Sequence, residues 1–102
     1  MKHAFHPDAL REYVAAASAY EERQPGLGDR FIQSVEGTIE SICQAPERWT
    51  VLEQDVRRRL TRVFPYAILY TIEQRHVLIV AVMHCHRKPG YWLTRVAPPP
   101  VG

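Results

Sequence analysis

The sequence predicts an α+β domain: an N-terminal strand and an antiparallel helical hairpin packed on a C-terminal antiparallel β-meander. Three observations predict it. Up to about residue 45, apolar residues recur at three- and four-residue spacing, the period of a helix face. Beyond residue 55 they collect instead in short β-branched and aromatic runs bounded by Pro, Gly and charged residues. Between the two helical patterns stands only Pro25-Gly26, a break so short that the helices must run antiparallel.

His3-Ala4-Phe5 is a short apolar segment expected to form the first strand. Pro7 suits the first turn of a helix, where its missing N–H costs nothing, and Asp8 suits the positive end of the helix dipole. Leu10, Tyr13, Val14, Ala17 and Tyr20 then form one stripe on a helix over 7–24, with Glu12, Glu21, Glu22 and Arg23 largely outside it. Phe31, Val35, Ile39 and Ile42 mark the core face of a second helix, which ends before Pro46. Gly37 inside it costs about 1 kcal/mol relative to alanine.

Three β-rich runs follow, over 56–63, 66–73 and 76–84. Phe64-Pro65 separates the first two, because proline cannot donate within a ladder. Glu73-Gln74-Arg75 is the expected hairpin turn between the last two. In the middle run Tyr66, Ile68, Tyr70 and Ile72 share one face and Ala67, Leu69 and Thr71 the other. The last run, from Val77 to Met83, is apolar on both faces and should be the most buried strand. Pro89-Gly90 then forces a turn before Tyr91-Trp92. A single domain over 1–96 with a flexible Pro-rich tail over 97–102 is expected. The helices should cover one sheet face and leave the other for function.

Composition narrows the class. The chain has 102 residues, 46% hydrophobic and 24% charged, which suits one globular core. No apolar run approaches the ~20 residues of a membrane span, and the N-terminus has no apolar leader, so a cytoplasmic location is expected. Cys43 and Cys85 form no CxxC pair and are expected as reduced thiols, Cys85 as a small packing residue. Residues 1–50 carry five Lys/Arg against eight Asp/Glu, or −3; residues 51–102 carry eight against three, or +5. A basic half on an acidic scaffold suits phosphate or an acidic partner.

Several local signatures occur in one order: Phe5-His6-Pro7-Asp8-Ala9, then Gly26-Leu27-Gly28-Asp29-Arg30-Phe31, Ile42 to Pro46 and Trp49. Arg57-Arg58-Arg59-Leu60 and Phe64-Pro65-Tyr66-Ala67-Ile68-Leu69-Tyr70 follow, and His84-Cys85-His86-Arg87-Lys88-Pro89-Gly90-Tyr91-Trp92 closes the series. In these the chain resembles the RelE/ParE toxin family of type II toxin–antitoxin systems, in its plasmid-stabilisation branch, over residues 3–95. The resemblance implies a growth-arresting toxin neutralised by a small cognate antitoxin. It implies one of two targets: ribosome-bound messenger RNA, cut by RelE-like ribonucleases, or DNA gyrase, poisoned without hydrolysis by ParE-like members. A nontoxic relict that only binds its antitoxin is the further alternative. The antitoxin's C-terminal part is expected partly over the helical hairpin and partly against the basic surface.

Alternation places Arg57 and Arg59 on one strand face and Arg58 and Arg62 on the other. The face shared with Val56 and Leu60 reads as the core side, with Arg58 and Arg62 reaching out from its edges. Arg57 and Arg59 are then the candidates for an exposed basic face, and Arg62 is kept among the expected contacts. Tyr91 and Arg95 complete the expected target or nucleic-acid contacts. A ribonuclease acting through the 2′-hydroxyl needs a base, an acid and a cation for the phosphorane. His84 and His86 suit the proton transfers and Arg87 suits the charge, since guanidinium stays protonated and grips phosphate in a fork. Tyr91 or Trp92 could stack on a base, although the area of Trp92 favours a core position. RelE-like ribonucleases rely on lysines in the basic strand region, whereas the only lysines here are Lys2 and Lys88. His84 and His86 share a strand face from which Cys85 points away, so no metal site and no cofactor is expected.

Overall fold

The computed structural model describes residues 1–96; the expected tail over 97–102 lies outside the described residues. The elements run β1 (Lys2–Phe5), α1 (Pro7–Arg23), α2 (Leu27–Gln44), β2 (Thr50–Glu53), β3 (Val56–Leu60), β4 (Tyr66–Glu73), β5 (His76–His84) and a final 3₁₀ turn, Leu93–Arg95. The strands form one sheet in the order β1-β5-β4-β3-β2. β1 pairs parallel to β5, and the other neighbours pair antiparallel.

Each helix begins where the sequence places its signals. His6 caps α1, its Nδ1 accepting from the Asp8 N–H at 3.1 Å, and Pro7 fills the first turn. α2 starts from Gly26, whose φ of 88° is in the left-handed region that glycine tolerates. The Glu21 carboxylate on α1 accepts from the N–H groups of Gly26 and Gly28 at 3.0–3.1 Å, so the first helix caps the second. The helices also meet closely at Gly28. A Cβ there would lie 2.8 Å from the Ala17 carbonyl oxygen.

The main core lies between the helices and the sheet, with Phe31, Val35, Ile39 and Ile42 facing Ile68, Tyr70, Val77, Ile79 and Val82. Here the first helix departs from expectation. Its buried residues are Ala9, Tyr13 and Ala16, while Leu10 and Val14 stand 46% and 58% exposed. Two stripes compete on this helix, about one residue apart in rotation. The one with two alanines wins because small side chains let α1 approach β5, and Tyr13 and Tyr20 supply the volume against Phe5 and Phe31.

The sheet is larger than the expected three-stranded meander. β2 is exposed at all four positions and so carries no alternation to reveal it. It joins β3 through Gln54 and Asp55, both at positive φ (50° and 62°), the backbone of a tight hairpin usually signalled by Asn-Gly. β3 ends earlier than expected, at Leu60, and Val63 turns out of the strand at φ 74°.

Nor is the second sheet face open. Val56, Ala67, Leu69, Val80 and Ala81 form a smaller core there, closed by Trp92 at 3% exposure. A bulge in β5 enlarges this core: Leu69 pairs with Ala81 and Tyr70 with Ile79, so Val80 is the extra residue and joins Ala81 on the second face.

Tyr70, fully buried, donates its hydroxyl to the Pro46 carbonyl at 2.6 Å. Burial pushes its pKa up from 10 to about 12, against the opposing charges of Arg57 and Arg59. A raised folded-state value gives stability that is complete below the unfolded value and lost as pH climbs through the folded one. Stability measured by urea unfolding is therefore expected to decline between about pH 10 and pH 12. The Tyr70-dependent part, on the order of 3 kcal/mol, should vanish in Tyr70→Phe. An identical alkaline decline in that variant would refute this assignment.

Candidate functional site

The candidate residues occupy three places. Arg57 and Arg59 project from β3 on the helix-covered side, opposite in register to the core residues Tyr70 and Ile68. This reverses the facing expected from the sequence, although the alternation itself holds. Arg57 donates to the carbonyls of Glu47 and Trp49 at 2.9 and 2.8 Å. Arg59 donates through Nε to Ser41 Oγ at 2.9 Å and lies 3.4 Å over the Trp49 ring. Both tie the sheet edge to the chain leaving α2. Arg62 stands exposed beside them, where its carbonyl accepts from the Ser34 hydroxyl at 2.6 Å.

His84, His86 and Arg87 gather at the end of β5. The His84 and His86 ring centroids are 5.3 Å apart, and His84 also packs edge-on to Tyr66 at 5.2 Å. His84 Nδ1 accepts from the His86 backbone N–H at 3.1 Å, which leaves the Nε2 position to carry the proton of the neutral ring. A depression of about 330 Å³ beside α1 is lined by Glu12, Tyr66, His84, Arg87 and Tyr91. The Arg87 guanidinium lies 4.0 Å from the Tyr91 ring centroid and occupies a stacking position on it.

The third place is a partly buried ion pair. Glu12 and Arg95 have side chains only 16% and 13% exposed, and Arg95 Nη1 and Nη2 reach the Glu12 carboxylate at 2.7 and 3.1 Å. Tyr91 donates its hydroxyl to the same carboxylate at 2.6 Å, and the Val82 N–H donates at 3.1 Å. Arg95 also donates to the Val80 carbonyl at 3.2 Å and sits 3.9 Å from Asp8. β1 stops opposite Ile79, so beyond it β5 has no strand neighbour on that side. Glu12 and Arg95 supply, from side chains, the partners that a longer β1 would have supplied from its backbone.

The charges follow from this packing. Burial first, then the hydrogen bond and charge of Glu12, push the Tyr91 phenol far above its ordinary value and keep it protonated. Burial alone would lower the Arg95 pKa, but the hydrogen bond and charge of Glu12, with Tyr91 and Asp8, carry it above the usual arginine value. Arg95 and Tyr91 thus fasten the C-terminal segment to α1.

Two participants escaped sequence reasoning. Glu12 has no local motif, and its position off the apolar stripe makes it look solvated. Arg58 does carry a signal, since alternation separates it from Arg57 and Arg59. It lines a second depression of about 370 Å³ with Met83, Cys85, Arg87 and Trp92, on the face opposite the helices. Cys85 is exposed there, not packed inside. Among the described residues no three His, Cys, Asp or Glu side chains cluster as metal ligands, and no helix is long and apolar enough to cross a membrane.

Comparison with known proteins supplies the family. Residues 4–89 match the family described as ParE toxin of type II toxin-antitoxin system, parDE. The chain belongs to the ParE toxin family. Among solved structures it is similar to one described as a chromosomal ParDE TA system from P. aeruginosa, at 14% identity and a TM-score of 0.74. That likeness covers 82% of this chain and 95% of the other, and it shows a shared fold. The ParE-family chain has no match among curated proteins.

Proposed function

We propose that this ParE-family chain is a cytoplasmic toxin that arrests growth by binding DNA gyrase, without hydrolytic chemistry, and that a cognate antitoxin neutralises it. One observation carries the choice of target. Arg59 and Arg62 lie in a groove between α2 and β3, whereas His84 and Arg87 lie in a depression beside α1. A ribonuclease needs its base, acid and charge-stabilising group within reach of the same phosphate. Here Arg59 and Arg62 face a different cleft from His84, Tyr91 is bound to Glu12, and Arg95 is held in a partly buried pair.

The messenger RNA reading retains His84, His86 and Arg87, which do meet at one strand end. The two readings separate in one experiment. His84→Ala with His86→Ala is expected to stay folded and to arrest growth at the wild-type dose. Expression should raise gyrase-dependent DNA cleavage complexes and an SOS response, and primer extension should show messenger RNA intact during translation. Loss of toxicity in the folded double variant, together with cut transcripts, would establish the ribonuclease instead. Expression without growth arrest would point to a relict.

The antitoxin reading is supported by the outer face of the helical hairpin. Leu10, Val14 and Ile32 are exposed there around a shallow groove of about 370 Å³ that also includes Ala17 and Ser18. A row of aliphatic groups along paired helices suits the apolar face of an amphipathic partner helix.

A further inference from the structure

A groove of about 510 Å³ runs between α2 and the end of β3. Its lining includes three arginines, Arg30, Arg59 and Arg62, and no carboxylate. None of the three is ion-paired among the described residues. Arg59 is set in place by Ser41 and the Trp49 ring, and its two terminal nitrogens remain available as a fork. The hydroxyls along this face of α2 are already used: Ser34 donates to the Arg62 carbonyl, Thr38 to that of Ser34, and Ser41 to that of Thr38. Apart from the exposed Gln33 amide, what the groove offers a ligand is therefore guanidinium charge and aliphatic surface. Leu60 and Val63 supply the latter, at 56% and 86% exposed. β2 pairs with β3 only as far as Arg58, so the outer edge at Leu60 has no strand beside it.

We propose that this groove seats an acidic, aliphatic segment of the cognate antitoxin, with carboxylates on Arg30, Arg59 and Arg62 and apolar side chains against Leu60 and Val63. The proposal rests on the antitoxin partnership above and adds where, and by what chemistry, one segment is held. Charge complementarity supports it, since every charged residue lining the groove is an arginine. Single-stranded nucleic acid fits less well because its bases need aromatic faces on which to stack. The groove's one aromatic side chain, Phe64, is packed edge-on against Tyr20 and Phe31. Exposed aliphatic groups add nothing to a phosphate backbone, but they bury readily against leucine or valine.

The test uses the labelled full chain and two short probes: a synthetic peptide alternating glutamate and leucine, and an oligothymidylate of similar length. With the peptide, amide shifts are expected at Ser34, Gly37, Ser41 and from Leu60 to Val63, and binding should weaken as salt rises. Arg30→Gln with Arg62→Gln, both at exposed positions and safe for the fold, should weaken binding by about tenfold. Equal binding of a glutamine-for-glutamate peptide, or of the double variant, would overturn the proposal. Tighter binding of oligothymidylate in the groove would overturn it in favour of nucleic acid. If coexpressed antitoxin rescued the double variant as fully as wild type, the groove would lose its role and the partnership would stand. If it failed to rescue wild-type toxin, the partnership itself would fail.

Discussion

Glu12→Ala is expected to destabilise the protein by about 3 kcal/mol, the low end for breaking a buried pair, because it leaves the partly buried Arg95 charge with only the more exposed Asp8 carboxylate at 3.9 Å. Four hydrogen bonds converge on this carboxylate, two from Arg95 and one each from Tyr91 and the Val82 backbone. Urea unfolding should show a lower midpoint at an unchanged slope. Glu12→Gln retains an acceptor for the Val82 N–H and should lose less. Arg95→Met in the Glu12→Gln background should cost less than in wild type, since it removes the orphaned cation. A loss of only about 0.5 kcal/mol for Glu12→Ala would place the pair with ordinary surface ion pairs and refute its role as the fastening of the C-terminal segment.

Trp92→Ala has a similar expected cost, about 3–5 kcal/mol, for a different reason. The indole is 3% exposed and closes the second core over Val56, Ala67, Leu69, Val80 and Ala81. Removing it leaves a cavity on the face opposite the helices and loosens the strand bulge beneath it. Near-UV circular dichroism should lose the Trp92 contribution while far-UV helix content persists. Trp92 and Glu12 hold the same segment from opposite sides, so the double variant should lose less than the sum of the two singles. Strict additivity would mean that the ion pair and the second core are independent.

The elements with one-sided burial are legible in the amino-acid sequence. α2 buries Phe31, Val35, Ile39 and Ile42 on one stripe, and β4 divides its side chains between two cores by strict alternation, both as periodicity predicts. β2 is not legible, because a strand exposed at every position has no burial pattern. On α1 the sequence contains two competing stripes, and only contact with the sheet chooses between them.

The candidate site is less legible for a related reason. Alternation separates Arg58 from Arg57 and Arg59, but it cannot say which side the helices will cover. Val56 suggests one core side; in fact there are two cores, and Val56 belongs to the smaller.

By itself, then, the sequence determined the order and type of the long elements, the family resemblance, and the concentration of positive charge in the second half. These depend on periodicity, motif and composition, which are local or additive. Tertiary structure alone decided that Glu12 meets Arg95, that Trp92 folds back over the sheet, and that Arg59 and Arg62 line a different cleft from His84. Each of those depends on residues far apart in the chain, and no local free-energy preference records where the rest of the chain will place them.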